Sequence, residues 1–383
     1  MQRLRELHEA GVSIWLDTLS RDLLDSGEFA ALVTDWYVTG ATSNPTIFAK
    51  AIRASQRYDE QLRAVVAEGQ RDAQAIFFDL ALEDVGRAAD LLWPVYEATG
   101  GDDGFVSFEC TPDLAYDRQA TVEQAVSLWQ RLDRANVMIK VPATEAGLGA
   151  IEELTFRGVN VNVTLLFSLA RYEQVIDAYV GGLERRVAAG QGVDRIASVA
   201  SFFVSRVDTK ADARLGDRSP LRGKVAVANA QVAYQRYRAR FSDPRWQALH
   251  RRGARAQRPL WASTGTKDPS YSDVLYVEQL IGPDVVNTMP EQTLRAFADH
   301  GHVRRSVDAD PDAARGVLRD AAAAGMDLDA VTAELEREGV ASFCASYREL
   351  VGCIRDKAGR LGMPEVAGQP WTDALAAAED AAS

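Results

Sequence analysis

The chain has 383 residues, 47% hydrophobic and 26% charged, a balance that supports a large buried core and excludes a disordered chain or a small disulfide-stapled scaffold. Its net charge of −12 opposes binding to nucleic acid or to an anionic membrane surface, so a phosphate-bearing ligand requires a local basic pocket. Three cysteines, Cys110, Cys344 and Cys353, form no CxxC pair and fit a reducing compartment. Residues 1–11 are charged and carry no apolar signal stretch, and no run of about 18 apolar residues follows, so a cytoplasmic, non-membrane protein is expected.

Short β-like runs alternate with longer helical ones. The expected strands are Val12–Asp17, Val38–Thr42, Gly104–Glu109, Val137–Val141, Val159–Val163, Ile196–Ser201, Leu260–Ser263 and Asp284–Thr288. Helical spacing marks Thr46–Glu68, Ala115–Ala135, Leu169–Ala189 and Val225–Arg240 between them. Alternation alone also fits an open, doubly wound sheet. The strands help to decide, because Ser13, Trp15 and Asp17 share one face, as do Ser107 and Glu109, Met138 and Lys140, and Asn160, Asn162 and Thr164. Half-solvated antiparallel strands would alternate in the same way, but the intervening helices argue for a parallel (β/α)8 TIM barrel with a polar site at its C-terminal mouth. Two segments fall outside the repeat: residues 206–259, long enough for two or three helices, and an Ala-rich helical extension from about Ser306, with breaks expected at Gly325, Gly352 and Gly362. Both read as elaborations of a single domain spanning residues 1–383, with fraying expected over Ala376–Ser383.

Lysine usage is selective. Only six of the 43 basic residues are lysine, yet Lys140 interrupts the apolar run Val137-Met138-Ile139-Lys140-Val141-Pro142. A desolvated ammonium group loses its proton more readily, and the neutral amine can attack a carbonyl carbon, which arginine cannot do. The alternative is a lysine that snorkels to the strand end or pairs with a buried acid. Asp17 and Glu109 also stand at strand ends, where a barrel aims them at the same mouth, and Schiff-base chemistry needs such acid/base groups. Each, taken singly, also fits a cap or an ion-pair partner. Asn44, Asn162, Thr164 and Ser201 add neutral hydrogen-bonding groups suited to a polyhydroxylated substrate, although Asn44 before Pro45 also fits a helix cap. Arg206 after the sixth strand and Lys267 in Ser263-Thr264-Gly265-Thr266-Lys267-Asp268 fall where barrels often bind phosphate; solvated surface charges are the plainer reading of each.

The four histidines, His8, His250, His300 and His302, have no metal-site spacing, so no metal is expected. Gly147-Leu148-Gly149 has Glu152 where a dinucleotide fingerprint needs its third glycine, and no stretch matches a P-loop; no nucleotide cofactor is expected.

Together these segments resemble the transaldolases, specifically their longer bacterial form. The resemblance is carried by Ile14-Trp15-Leu16-Asp17, Gly40-Ala41-Thr42-Ser43-Asn44-Pro45-Thr46-Ile47-Phe48, Val106-Ser107-Phe108-Glu109, Ile139-Lys140-Val141-Pro142-Ala143-Thr144, Asn160-Val161-Asn162-Val163-Thr164-Leu165-Leu166-Phe167-Ser168, Ser201-Phe202-Phe203-Val204-Ser205-Arg206 and Trp261-Ala262-Ser263-Thr264-Gly265-Thr266-Lys267. It implies transfer of a dihydroxyacetone unit from sedoheptulose 7-phosphate to glyceraldehyde 3-phosphate, without a cofactor, in a monomer or homodimer. It further implies Lys140 as the Schiff-base lysine, Asp17 as the acid/base of C–C cleavage, and Glu109 as proton shuttle through a water near Thr164. Asn44, Asn162 and Ser201 would then contact substrate hydroxyls, and Arg206 and Lys267 the phosphate. The resemblance includes departures. Ser201-Phe202-Phe203 stands where shorter relatives have Ser-Pro-Phe, and Lys267 stands where some have arginine, a point charge in place of a fork. A related aldolase group tends to carry glutamine at the position of Glu109 and tyrosine at that of Phe203, so the residues here favour transfer over release to water.

Overall fold

The computed structural model describes residues 1–69 and 72–368. Eight strands, β1 (Val12–Leu16), β2 (Val38–Thr42), β3 (Phe105–Glu109), β4 (Val137–Pro142), β5 (Val161–Leu166), β6 (Ser198–Phe203), β7 (Arg258–Ala262) and β8 (Val285–Met289), lie side by side in chain order. All are parallel, and β8 pairs with β1 to close the barrel. The closed sheet has no free edge, and nearly every strand residue is buried, with outward Val, Ile, Leu and Phe under the helices and inward residues filling the barrel. One apolar cluster runs through strands and helices alike.

Strand order and number agree with the sequence reading, while several boundaries shift by about two residues, most at β5 and β6. Three helical differences have physical causes. The stretch Thr46–Glu68 is divided into helices Pro45–Ala54 and Asp59–Ala67 by a tight turn, where Ser55 takes an extended conformation and its hydroxyl accepts the Arg57 N–H. The expected break at Gly352 does not occur: helix Leu328–Arg360 runs through both Gly339 and Gly352, because apolar packing outweighs the intrinsic cost of glycine, about 1 kcal/mol. Gly325 and Gly362 do sit just past helix ends with positive φ, as a helix stop requires. The longest element not anticipated is helix Ala73–Ala98, which continues through Pro94. Segment 206–259 holds three helices, Ser205–Leu215, Val225–Arg240 and Pro244–His250, while Ala376–Ser383 lies outside the described residues.

Two buried polar assemblies fix what surrounds the mouth. Helix Leu328–Arg360 is fastened to Pro45–Ala54: the Lys357 ammonium donates to the carbonyls of Ile52 at 3.1 Å and Ser55 at 2.6 Å and lies 2.7 Å from Asp59, while the Thr46 hydroxyl donates to Ser346 at 2.7 Å. The loop after β1 is fastened by Arg21, whose Nε donates to the buried Asp84 at 2.9 Å; the Tyr58 hydroxyl donates to the other Asp84 oxygen at 2.8 Å, and the guanidinium lies over the Tyr58 ring. Burial pushes the Asp84 carboxyl above the usual range against the pull of Arg21. Asp84→Ala leaves the buried guanidinium with only the Leu80 carbonyl at 3.2 Å and Glu83 at 3.7 Å, with an expected loss of about 3 kcal/mol in unfolding free energy by urea denaturation; an unchanged midpoint would show the pair to be dispensable.

Candidate active site

β3 and β4 run in a register that sets Glu109 directly beside Lys140, both pointing into the barrel near its C-terminal end. The Lys140 ammonium lies 2.8 Å from Glu109 Oε1 and donates to the Ser43 carbonyl at 3.1 Å; both side chains are only 8% exposed, so water screens the pair poorly. Burial pushes the Glu109 carboxyl above the ordinary carboxylate range, with the Lys140 charge opposing that shift. Beside the pair is a cavity of about 20 Å³ lined by Glu109, Thr164, Lys140 and Phe343 among others, a volume that suits a single water. Glu109 Oε2 and Thr164 Oγ1 are buried and have no hydrogen-bond partner among the described residues, which leaves a donor/acceptor pair for such a water.

Asp17 follows β1, where its N–H continues the ladder to the Met289 carbonyl at 2.7 Å. Its carboxylate accepts the Thr42 hydroxyl at 2.7 Å, and Thr42 in turn accepts from Thr288 at 2.7 Å, a chain across β2 and β8 that orients the acid. Asp17, Lys140 and Thr164 all line one cavity of about 330 Å³ at the mouth, with Asn44, Ser201, Phe203, Arg206 and Lys267 around it. Asn44 caps helix Pro45–Ala54 through its side-chain oxygen, so its cap and site readings coexist. Asn162 is different. Fully buried, it does not line the cavity; it donates to Ser107 at 2.9 Å and accepts the Ser201 hydroxyl at 2.7 Å, and so ties β3, β5 and β6 together beneath the site.

Arg206, in the first turn after β6, lies between the Phe203 ring at 5.1 Å and the Phe343 ring at 5.9 Å, with no carboxylate in ion-pair reach among the described residues. Burial pulls its pKa down from the usual guanidinium value, with the charges of Asp17 and Glu109 opposing, though a guanidinium stays protonated in any case. Lys267 is exposed and likewise makes no ion pair among the described residues. Two non-glycine residues in the left-handed region flank the site: Leu165 (φ 54°), at an irregularity in the β5–β6 pairing, and Ser263 (φ 55°) just after β7. Such conformations cost of order 1–3 kcal/mol and persist where the surroundings impose them.

Sequence reasoning missed Thr42 and Thr288 as the support of Asp17, though both are polar interruptions of apolar strands, the signal that exposed Lys140. It also missed Ser342 and Phe343, which reach the mouth from helix Leu328–Arg360, where no local pattern marks them. That helix passes close to β5 at Gly339, where a Cβ would stand 2.9 Å from Leu165 Cδ2. A larger cavity of about 820 Å³ opens at the opposite, N-terminal end of the barrel, but it contains neither Lys140 nor the two carboxylates. Among the described residues no cluster of His, Cys, Asp and Glu could hold a metal ion, and no helix is long and apolar enough to cross a membrane.

A parallel barrel with a buried lysine on its fourth strand, one carboxylate beside the amine and a second in the same mouth is equipped for lysine-dependent carbonyl chemistry. Residues 14–354 match the model of the family described as Transaldolase/Fructose-6-phosphate aldolase. The chain is 52% identical to a transaldolase of Acidothermus cellulolyticus over 359 residues, covering 92% of this chain and 95% of that one. It is 50% identical to a transaldolase of Frankia alni (94% and 98% covered) and 51% identical to one of Saccharopolyspora erythraea (92% and 97% covered). The chain belongs to the transaldolase/fructose-6-phosphate aldolase family.

The raised Glu109 pKa sets the direction of a pH effect. As pH falls, Glu109 becomes protonated earlier than an exposed glutamate, so if Glu109 carries protons in the reaction the acid limb of kcat/KM is expected above the ordinary value of about 4.3. Glu109→Gln is expected to abolish this limb and to lower kcat/KM by about 10²–10⁴-fold; a variant that keeps the same limb would assign it to another group.

Proposed function

We propose that this chain is a transaldolase that moves a dihydroxyacetone unit from sedoheptulose 7-phosphate to glyceraldehyde 3-phosphate, giving erythrose 4-phosphate and fructose 6-phosphate, in the non-oxidative pentose phosphate pathway. One juxtaposition carries the reading: Lys140, its amine 2.8 Å from the buried Glu109, lines one cavity with Asp17 and with two cations without carboxylate partners among the described residues, Arg206 and Lys267. The Lys140 amine attacks the ketose carbonyl carbon. Glu109, through a water beside Thr164, supplies and takes back the protons by which the carbinolamine loses water and becomes an iminium. Asp17 removes the proton from the hydroxyl on the carbon that leaves as an aldehyde; the C–C bond breaks and its electron pair enters the iminium, leaving a bound enamine. An incoming aldose meets this enamine, and the same steps run in reverse.

In this reading Asn44 and Ser201 contact substrate hydroxyls, with Asn162 holding the Ser201 hydroxyl in place. Arg206 and Lys267 hold the phosphate, and Phe203 packs beside the guanidinium. The enzyme is taken to be cytoplasmic, in keeping with three buried cysteines that form no disulfide.

Borohydride reduction in the presence of fructose 6-phosphate should leave a covalent three-carbon adduct on the peptide containing Lys140, whereas Lys140→Arg should fold normally, trap nothing and turn over nothing. Turnover near that of the unsubstituted enzyme in this variant would refute the Schiff-base role. Acceptor dependence tests transfer itself: without an aldose acceptor, free dihydroxyacetone should form only slowly, and release at an acceptor-independent rate would identify an aldolase. Lys267→Ala should raise KM for phosphorylated substrates by about tenfold or more and leave unphosphorylated ones unaffected, the loss expected when a charge-assisted contact is removed. Equal losses for both would refute its phosphate role.

A further inference from the structure

Helix Ser205–Leu215 presents Arg206 to the cavity from its first turn, and it carries Asp208 in that same turn and Asp212 one turn further on, 1% and 6% exposed. The two carboxylates divide their oxygens in the same way. Asp208 accepts the Ala226 N–H at 2.8 Å on one oxygen and the Tyr276 hydroxyl at 3.0 Å on the other. Asp212 accepts the Gly223 N–H at 3.0 Å and the Tyr271 hydroxyl at 2.7 Å. Each aspartate therefore joins its helix to the connection between β7 and β8 and, on the other side, Asp208 to the first turn of helix Val225–Arg240 and Asp212 to the segment just before it. Gly223 belongs to the same device: its backbone has φ +67°, and a Cβ there would stand 2.9 Å from the Tyr271 ring.

The β7–β8 connection is the one that carries Lys267. On either side of that lysine the loop is held: Asp268 pairs with Arg222 at 3.1 Å, and the Thr266 hydroxyl donates to the Ser272 carbonyl at 2.8 Å. The hydroxyls of Ser205 and Ser263, 2.9 Å apart, join the base of the loop to the base of the Arg206 helix. We propose that Asp208 and Asp212, acting through Tyr276 and Tyr271, are positioning residues that hold the Lys267 loop against the Arg206 helix at the separation a substrate phosphate requires. This rests on reading Arg206 and Lys267 as the phosphate site.

The physical gain is preorganisation. A lysine on a loose loop would have to give up backbone as well as side-chain freedom when the phosphate binds, whereas a clamped loop has given up the backbone part during folding. The arrangement is costly to maintain, since burial, with Asp212 nearby, pushes the Asp208 carboxyl up to about 7 even though the Ala226 N–H favours its ionised form. It also gives residues 206–259 a task, because Gly223, Arg222 and Ala226 are their contribution to the clamp.

Steady-state kinetics on the full chain can separate the clamp from the phosphate reading it rests on. Tyr271→Phe combined with Tyr276→Phe removes both hydroxyls and keeps both rings; Tyr271→Phe alone serves if the double variant fails to fold by circular dichroism. The expected result is a rise of about threefold to tenfold in acceptor KM for glyceraldehyde 3-phosphate, with kcat and the KM for unphosphorylated glyceraldehyde unchanged, as for a charge-assisted contact that is misplaced and not removed. In a Lys267→Ala background the same substitutions should add nothing, since they act through Lys267. Equal rises for both acceptors, a full additional rise in the Lys267→Ala background, or no rise at all would overturn the clamp, and with Lys267→Ala still selective for phosphate the site assignment would survive. A Lys267→Ala variant without phosphate selectivity would overturn both.

Discussion

The contact on which the rest of the site depends is the pairing of Lys140 with Glu109 across neighbouring strands. Their register makes the two side chains immediate neighbours, and the closed barrel leaves them almost no water. Removing either partner would leave an uncompensated charge in a poorly solvated place. The pair is thus a structural constraint whatever chemistry it serves, and its surroundings are polar: the Ser43 carbonyl receives the ammonium, and Thr164 has its hydroxyl uncommitted among the described residues. Asp17 is held apart from this pair by its own support, the two threonines of β2 and β8. Two carboxylates in one mouth can serve different steps because one is buried beside an amine and the other is partly open to the cavity.

The mouth is built by elements that converge from distant parts of the chain. Strand ends supply the amine and the carboxylates, while the cavity wall comes from the first turn of helix Ser205–Leu215, the loop after β7 and helix Leu328–Arg360. The Phe203 and Phe343 rings pack against Arg206, and with no carboxylate in ion-pair reach among the described residues the guanidinium is available to an anionic ligand. Polar residues on the inner face of the barrel act in two tiers: Asn162 and Ser107 lie beneath and tie strands together, whereas Ser201 and Thr164 stand at the cavity.

Much of this was legible in the sequence because barrel strands print a period of two. A polar residue that interrupts an apolar strand must face inward or pay for burial, and that rule exposed Lys140, Glu109 and Asn162. It could not separate a residue that lines the cavity from one that supports it, since Asn162 and Ser201 obey the same alternation; only depth along the barrel distinguishes them. Two of the three breaks anticipated inside Ser306–Ser383 hold, at Gly325 and Gly362, because propensity marks glycines past a helix end but is outweighed where a long helix is packed along its length, as at Gly352. Phe343 left no trace in the sequence, since its place at the mouth follows from the docking of a helix and not from any neighbouring residue.

That docked helix has a consequence for how the chain is made. A nascent polypeptide that has left the ribosome through β8 already possesses the amine, both acids, Arg206 and Lys267, yet it lacks the wall that Ser342 and Phe343 provide and the fastening of Lys357 to Ile52 and Ser55. Until helix Leu328–Arg360 has been made and docked, a barrel already closed by β8 would therefore leave that side of its pocket open.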